Sequence, residues 1–380
     1  MVLPMRFIHT GDWQIGKPFR SFGTAEPLLQ QARLDAIAAI GTLAAAQGIA
    51  DVLIAGDVYD SEQPGRRTLL EPLERMRGFP QVTWHVISGN HDPHRANGLW
   101  DRVQAAGLPG NVRLHLEPVP HRMGETAVLL AAPMRRKSEV NDLTQWMDAA
   151  ETDGGLIRIG LAHGSVQGFG AEGEANNPIA PDRARSAGLD YLALGDWHRT
   201  LKIGERTWYA GTHEADGFGS QEIGKVLLVE IDGPGAVPRV SEHRTGKYRW
   251  MTLTEQVGQG ADIAVIDAKI RELTDLSAVV MRLKLTGSLP LEARAALDGQ
   301  LAGLDAAMTH LDIQLGDLHV RPTQEDIERI DFDGVLREAA GTLRALAEDA
   351  SRGAAERRHA GDALVELFLL SARTSGSEAP

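Results

Sequence analysis

Short apolar runs alternate with longer amphipathic stretches through the first 250 residues. The apolar runs at residues 6–9, 52–55, 82–87, 157–162 and 191–194 have the length and composition of buried strands. Residues 27–47 carry apolar side chains at helical spacing, and Gly48 follows them as a helix C-terminal cap. Strands that alternate with helices predict an α/β fold for this part of the chain.

The pattern changes near residue 250. Residues 224–231 predict one more strand. Beyond the Gly233-Pro234-Gly235 turn, helical periodicity at 262–273 and 291–308 alternates with strand-like stretches at 279–285 and 311–320. This α-β-α-β unit has the size of a small cap domain. Residues 334–371 predict two further helices. We therefore expect a large domain over 1–250, an α/β cap over 251–322, a helical segment over 323–373 and a disordered tail over 374–380.

Composition narrows the class of protein. The chain has no cysteine, so disulfides and thiolate metal ligands are excluded. Its 39 Lys and Arg against 52 Asp and Glu give a net charge of −13, mostly from the part after residue 250, which argues against binding nucleic acid by bulk electrostatics. Neither a secretory signal nor an apolar run of about 18 residues is present. We expect a cytoplasmic protein without a membrane segment.

Polar residues recur where a predicted strand gives way to a loop. The segments concerned are Asp12-Trp13-Gln14, Gly56-Asp57-Val58-Tyr59-Asp60, Gly89-Asn90-His91-Asp92, Ala162-His163-Gly164 and Gly195-Asp196-Trp197-His198. The ends of buried strands are where α/β folds place ligands and catalytic groups. Isolated Asp and His residues are usually structural, but five such segments in series indicate a site.

In order and spacing these segments resemble the calcineurin-like metallophosphoesterase superfamily, whose pattern runs D-x-H, GD-x-x-D, GNHD, H and GHxH. The resemblance spans residues 6–230. It implies a metallophosphoesterase β-sandwich flanked by helices (αββα) and an enzyme that hydrolyses phosphodiester bonds. Such hydrolysis requires neutralised phosphate charge and hydroxide at neutral pH, and two cations about 3.5–4 Å apart supply both.

The resemblance also implies a role for each polar residue. It implies that Asp57 bridges two divalent ions. Asp12, Gln14 and His198 would complete the ligands of the first ion, and Asn90, His163 and Asp196 would complete those of the second. His91 would stand near the leaving oxygen as an acid or electrostatic stabiliser, oriented by Asp92. Hydrolysis would then use a metal-activated hydroxide.

Two positions depart from the family pattern. Gln14 stands where the family usually has a histidine, and Asp196 replaces the first histidine of GHxH. Oxygen ligands in place of imidazoles favour Mn²⁺, or Mg²⁺, over Zn²⁺. We therefore expect Mn²⁺-supported activity. The alternative is a degenerate site that binds one ion or none.

A narrower resemblance concerns the SbcD branch of the superfamily. It rests on residues 9–13, on residues 208–214 and on the predicted cap, while Gln14 and Asp196 resemble the YhaO-like group of DNA repair exonucleases. It implies DNA as substrate, an SMC-like ATPase of the SbcC type docked on helices within 334–371, and a homodimer. The chain has no P-loop, so ATP coupling would come from that partner.

Two other functions remain open from the sequence. One is a phosphodiesterase for a small nucleotide or a phospholipid-type diester, which the net acidity favours; the other is a non-catalytic scaffold for an SMC-like ATPase. The basic clusters Arg66-Arg67 and Arg135-Arg136-Lys137 could contact phosphates, although a basic surface turn is the more ordinary interpretation.

Overall fold

The computed structural model describes residues 4–168, 176–220, 222–321 and 335–375. The chain divides into two compact units, residues 1–250 and 251–380. The finer division of the second unit into a cap and a helical docking segment stays a prediction, because its boundary falls within 322–334, outside the described residues.

The first unit contains two main β-sheets. Its strands are β1 (Met5–Thr10), β2 (Asp51–Ile54), β3 (Thr83–Val86), β4 (Val112–Leu114), β5 (Pro120–Met123), β6 (Ala127–Ala132), β7 (Ile157–His163), β8 (Ser165–Val166), β9 (Pro178–Ile179), β10 (Tyr191–Gly195), β11 (Leu201–Lys202), β12 (Thr207–Tyr209), β13 (Ile223–Ile231) and β14 (Arg239–Val257), which ends in the second unit. One sheet has the order β14-β13-β1-β2-β3-β4, and the other has the order β11-β12-β10-β7-β6-β5. The strands β1 to β4 run parallel, as do β6, β7, β10 and β12.

Alternate side chains of each strand enter different cores, as the two-residue period of a strand requires. Phe7 and Leu53 of the first sheet pack with Leu129 and Tyr191 of the second between the two sheets. The neighbouring Ile8 packs instead into the layer beneath the helices. This arrangement is a β-sandwich, so the predicted fold class is confirmed.

Helices cover the outer face of the first sheet. Those of the first unit are α1 (Glu26–Gln47), α2 (Arg66–Arg77), α3 (Leu99–Ala105) and the short α4 (Arg183–Ser186), with 3-10 turns at Arg20–Ala25 and Gln145–Asp148. The predicted cap of α1 is confirmed, because Gly48 adopts a left-handed conformation with φ 63°. The second sheet is covered on its outer side by α4, the 3-10 turn at Gln145–Asp148 and loops, which supply Met147 and Ala184 to the apolar layer there.

The second unit is also α/β. It contains the end of β14, α5 (Gly260–Arg271), a 3-10 turn at Leu276–Ala278, β15 (Val279–Pro290), α6 (Leu291–Ala307), β16 (His310–Arg321), α7 (Val335–Glu348) and α8 (Ala354–Ser375). The predicted strands and helices are present, but β15 runs on to Pro290. The helix α8 includes Thr374 and Ser375, the first two residues of the predicted tail, and residues 376–380 lie outside the described residues. Among the described helices, none combines the length and apolar character needed to cross a bilayer.

The apolar stripe of α8 packs within its own unit. Leu364 and Val365 form a buried cluster with Leu291 of α6 and Ala340 of α7. Burying a Leu or Val side chain stabilises a fold by roughly 1.5–3 kcal/mol. These two residues are therefore core residues of the second unit and leave other faces of α7 and α8 for any partner.

Candidate metal centre

The polar segments meet because they follow the carboxyl ends of parallel strands. β1, β2 and β3 end side by side in one sheet, and β7 and β10 end side by side in the other. Backbone hydrogen bonds then link the loops: Asp12 N donates to Gly56 O at 3.2 Å and Gln14 N donates to Asp57 O at 2.8 Å. The loop after β1 therefore lies against the loop after β2.

Four of the predicted ligands have a strained backbone. Asp12, Gln14, Asp57 and Asp196 have φ angles of 53°, 39°, 53° and 107°. Positive φ is uncommon for residues other than glycine, and a residue held there costs on the order of 1–3 kcal/mol. Such residues cluster at functional sites. Their coincidence with the predicted ligands is the first structural sign that this edge of the sandwich is a site.

Three predicted ligands form the buried centre of the site. Asp12, Asp57 and His163 each offer one ligand atom, and these atoms lie within 4.8 Å of one another. His163 Nε2 is 3.6 Å from Asp57 Oδ1, and His163 Nδ1 is 3.9 Å from Asp12 Oδ1. All three side chains are buried. Two carboxylates and an imidazole at this spacing are suited to hold a cation.

The predicted ligands of the second ion converge on one nitrogen. His163 Nδ1 donates to Ala55 O at 2.8 Å, which turns Nε2 towards the site. Nε2 then lies 2.8 Å from Asn90 Oδ1 and 3.8 Å from Asp196 Oδ1. Burial lowers the pKa of His163, but Asp57, Asp12 and Asp196 outweigh it and raise that pKa to about 9. The oxygens around Nε2 therefore favour a positive charge there.

The predicted ligands of the first ion adjoin this group. Gln14 Nε2 is 3.3 Å from His198 Nε2, and the Gln14 amide oxygen accepts a hydrogen bond from Lys17 at 3.2 Å. His198 Nδ1 lies 2.9 Å from Asp216 Oδ2, which also accepts from Lys17. Burial raises the pKa of Asp216, but His198, together with Arg33 and Lys17, holds it well below its ordinary value. The ionised Asp216 therefore fixes the His198 ring.

The donor set fits divalent cations. Asp12 Oδ1 accepts from Asp196 N at 3.0 Å, but no donor among the described residues reaches the buried Asp12 Oδ2. Burial raises the pKa of Asp12 to about 6, even though His198 and His163 oppose that shift. A buried carboxylate oxygen without a partner is costly unless a cation binds it. The oxygen-rich ligands around it are typical of Mg²⁺ and Mn²⁺ sites.

Glycines allow the loops to approach one another at this site. A Cβ atom at Gly89 would lie 2.2 Å from Asp57 Oδ1, and one at Gly56 would lie 2.6 Å from His163 Nδ1. Neither distance is possible for a real side chain, so the site could not close around Asp57 and His163 without glycine at both positions.

His91 is held by main-chain groups. Its backbone N–H donates to Asp57 Oδ1 at 2.9 Å, and its Nδ1 donates to the carbonyl oxygen of Asp60 at 2.9 Å. The prediction that Asp92 orients His91 is wrong. Both Asp92 carboxylate oxygens accept main-chain N–H groups instead, from Gly89 at 2.6 Å and Tyr59 at 3.0 Å. Asp92 thus clamps the loop of Asp57 to the loop of Asn90, because a carboxylate flanked by free N–H groups binds them first.

Sequence patterns missed two residues that support the ligands. Asp216 lies outside every motif, and only its place just beyond the 208–214 stretch hinted at the site. Arg33 is 1% exposed although it lies on α1. It donates from Nε to Trp13 O at 2.8 Å, from Nη2 to Asp12 O at 3.0 Å and from Nη1 to Glu214 O at 3.0 Å. An arginine on the apolar face of a helix was the available signal.

Comparison with known proteins agrees with this site. The family model described as calcineurin-like phosphoesterase matches residues 5–217, which include all the predicted ligands. The chain belongs to the calcineurin-like phosphoesterase family. Our recognition of this family and our prediction of a phosphoester hydrolase are therefore confirmed. The assignment of each ligand, and of His91 as a catalytic residue, stays a prediction.

Two curated proteins resemble the chain over most of its length. The SbcD subunit of the nuclease SbcCD from Rhodobacter capsulatus is 29% identical over 285 residues, which cover 62% of this chain and 68% of that protein. The DNA double-strand break repair protein Mre11 of Halobacterium salinarum is 25% identical over 290 residues, covering 74% and 70% respectively. Among solved structures, purple acid phosphatase PPD1 from yellow lupin matches with a TM-score of 0.42 and 13% identity over 64% of this chain and 52% of that one.

Proposed function

We propose that this chain is a metal-dependent DNA nuclease subunit of the SbcD type, which hydrolyses phosphodiester bonds in DNA repair. The convergence of Asp12, Asp57 and His163 around one position carries the proposal, since it provides the centre of a metal site. The similarity to a nuclease subunit and to a DNA double-strand break repair protein supports DNA over a small diester as the substrate.

The chain's own residues would act in distinct ways. Asp57 would bridge two divalent ions, whose charge, when bound, neutralises the phosphate and activates water for an in-line displacement. The His91 Nδ1–H is engaged by the Asp60 carbonyl, so Nε2 is the nitrogen left for the leaving oxygen, and it would donate a proton there in the imidazolium form, in which both ring nitrogens are protonated. Asp216 would hold His198, and Ala55 O would hold His163, in the orientation that each ligand needs.

Mn²⁺ is the proposed ion, with Mg²⁺ as the second choice. With Gln14 and Asp196 in place of two histidines, only His163 and His198 offer nitrogen among the seven predicted ligands. The remaining ligands offer oxygen, which suits hard cations better than Zn²⁺.

An SMC-like ATPase of the SbcC type is the proposed partner. Leu364 and Val365 are committed to the core of the second unit, so the partner would bind the outer faces of α7 and α8. A homodimer stays a prediction.

The decisive experiment assays the purified protein with Mn²⁺ on single-stranded, blunt-ended and hairpin DNA, beside bis-p-nitrophenyl phosphate, with Asp57→Ala as the inactive control. We expect DNA cleavage that disappears in the variant. Hydrolysis of the model ester without DNA cleavage, even with an SbcC-type ATPase added, would instead favour a small diester as substrate. No metal-dependent hydrolysis at all would favour the non-catalytic scaffold.

A further inference from the structure

A cleft of about 370 Å³ opens directly beside the metal centre. Two of its lining residues, Asn90 and His91, belong to the predicted site. The rest of the lining is polar and comprises Asp60, Ser61, Glu62, Gln63, Arg95 and Lys137. The volume lies within the range of pockets that hold small ligands. A substrate that reaches His91 with its leaving oxygen would therefore continue into this cleft.

The two basic side chains that line the cleft differ in whether a carboxylate pairs with them. Arg95 Nη1 pairs with Glu62 at 3.2 Å, so these two charges neutralise each other. Within the described parts of the chain, no carboxylate lies within 4.0 Å of the Lys137 ammonium, whereas the nearby Arg135 pairs with Glu117. Lys137 is exposed to solvent. Its ammonium is thus available to a negatively charged ligand in the cleft.

The backbone holds Lys137 close to the catalytic loop. Met134, three residues before it, donates its N–H to Ser88 O at 3.3 Å and accepts from Ser88 Oγ at 2.7 Å. His94 N donates to Met134 O at 2.8 Å. Ser88 and His94 flank the segment that carries Asn90 and His91. Met134, which immediately precedes the basic segment, is therefore hydrogen-bonded to both ends of that loop.

We propose that Lys137 binds the phosphate group adjacent to the scissile phosphodiester, in the cleft that begins at His91. This inference rests on the proposed nuclease function. The ligand is a nucleotide on the leaving-group side. Its phosphate faces Lys137, and the hydroxyl or amino groups of its sugar and base donate to the Asp60 carboxylate at the same cleft. A simple diester without a second phosphate cannot reach Lys137 and gains nothing from it.

The variant Lys137→Ala tests this proposal, and Lys137→Arg is the variant that conserves the charge. Arg136→Ala is the control, because Arg136 is also exposed but does not line the cleft. Binding of a fluorescent single-stranded oligonucleotide is measured by anisotropy over a range of salt concentrations. One lost phosphate contact should weaken binding about tenfold at low salt and reduce the slope of log K against log salt by about 0.7. Lys137→Arg should retain most of the affinity, and Arg136→Ala should change little.

A second measurement compares substrates. In Lys137→Ala, the ratio of kcat/KM on the oligonucleotide to kcat/KM on bis-p-nitrophenyl phosphate should fall about tenfold. The fall should come from a higher KM for the oligonucleotide. The inference is wrong if Lys137→Ala and Arg136→Ala lose binding equally, or if Lys137→Ala leaves the slope of log K against log salt unchanged. The proposed function would still stand in that case, provided that the protein cleaves DNA. A wild-type protein that hydrolyses the model ester but neither binds nor cleaves DNA would overturn the proposed function, and the inference with it.

Discussion

His163 donates a hydrogen bond from Nδ1 to the carbonyl oxygen of Ala55 at 2.8 Å. Ala55 follows β2 of the first sheet, and His163 ends β7 of the second. The bond therefore joins the two layers of the sandwich at the metal centre. It also settles which ring nitrogen faces Asn90, Asp57 and Asp196. The packing of the two sheets thereby determines the chemistry of the site.

Asp216→Asn should weaken metal binding although Asp216 is not a predicted ligand. The substitution removes the negative charge that fixes His198 Nδ1 and leaves the ring free to turn. Loss of such a supporting carboxylate typically costs about 10–100-fold in metal affinity. Calorimetric titration with Mn²⁺ measures this, and Asp182→Asn, at an exposed Asp beside Arg185, is the matched control. Equal affinities in Asp216→Asn and the wild type would contradict the role of Asp216.

Arg33→Met should destabilise the first unit. Methionine fills much of the same space but leaves the carbonyl oxygens of Trp13 and Asp12 without their buried side-chain donor, whereas Glu214 O keeps the hydrogen bond from Thr212 Oγ1. Each buried group left unsatisfied costs about 1–3 kcal/mol, so we expect the free energy of unfolding to fall by roughly 3 kcal/mol or more. Urea unfolding measures the change. The control Arg77→Met, at an exposed position of α2, should change the free energy of unfolding by less than about 0.5 kcal/mol.

The protein should lose stability as the pH falls below about 6.5, partly because of His115. Burial, with the neighbouring His85, His121 and Arg113, lowers the pKa of His115 to about 2. As the pH falls below the ordinary pKa of 6.5, the unfolded chain binds a proton at this histidine that the folded chain excludes. Well below pH 6.5 the loss approaches about 1.4 kcal/mol per pH unit from this group and continues towards pH 2.

Urea unfolding of the wild type and His115→Gln between pH 7.5 and 5 measures that contribution. Glutamine cannot be protonated in this range, so the variant should show a smaller fall in the free energy of unfolding. His243→Gln, at a partly exposed residue of β14, should keep the slope of the wild type. If the free energy of unfolding of His115→Gln falls with pH as steeply as that of the wild type, the acid sensitivity comes from other groups.

Mn²⁺ should support much faster hydrolysis than Zn²⁺, because oxygen ligands replace two imidazoles. The double variant Gln14→His/Asp196→His should raise Zn²⁺ affinity by at least tenfold, since it restores nitrogen ligands at both positions. Calorimetry with each ion and turnover of bis-p-nitrophenyl phosphate measure the two effects. Zn²⁺ turnover in the wild type equal to that with Mn²⁺ would show that the metal preference is misassigned.

Where a motif follows a buried strand, the sequence predicted which residues lie together. Asp57 and Asn90 come after apolar runs that could only be central strands, and parallel strands bring such ends together. The partner of His91 could not be predicted, because the group that orients it is the main-chain carbonyl of Asp60, and every residue has one. Asp216 was missed for a related reason: its contact with His198 depends on how a loop returns to the site.

The second unit shows the same limit. Helical periodicity located α8, but it could not distinguish an apolar stripe that faces a partner from one that faces its own unit. That choice depends on what lies opposite, and Leu291 of α6 is far from Leu364 in the sequence. Long-range packing of this kind has no local signature.

The left-handed backbone at Asp12, Gln14, Asp57 and Asp196 also bears on engineering. Glycine adopts this conformation without steric cost, so a change to glycine at any of these four positions would relieve backbone strain but would remove a ligand. A stabilised variant of this protein chosen without an activity screen would therefore tend to become an inert scaffold. A design that excludes these positions from substitution would separate gains in stability from loss of the metal centre.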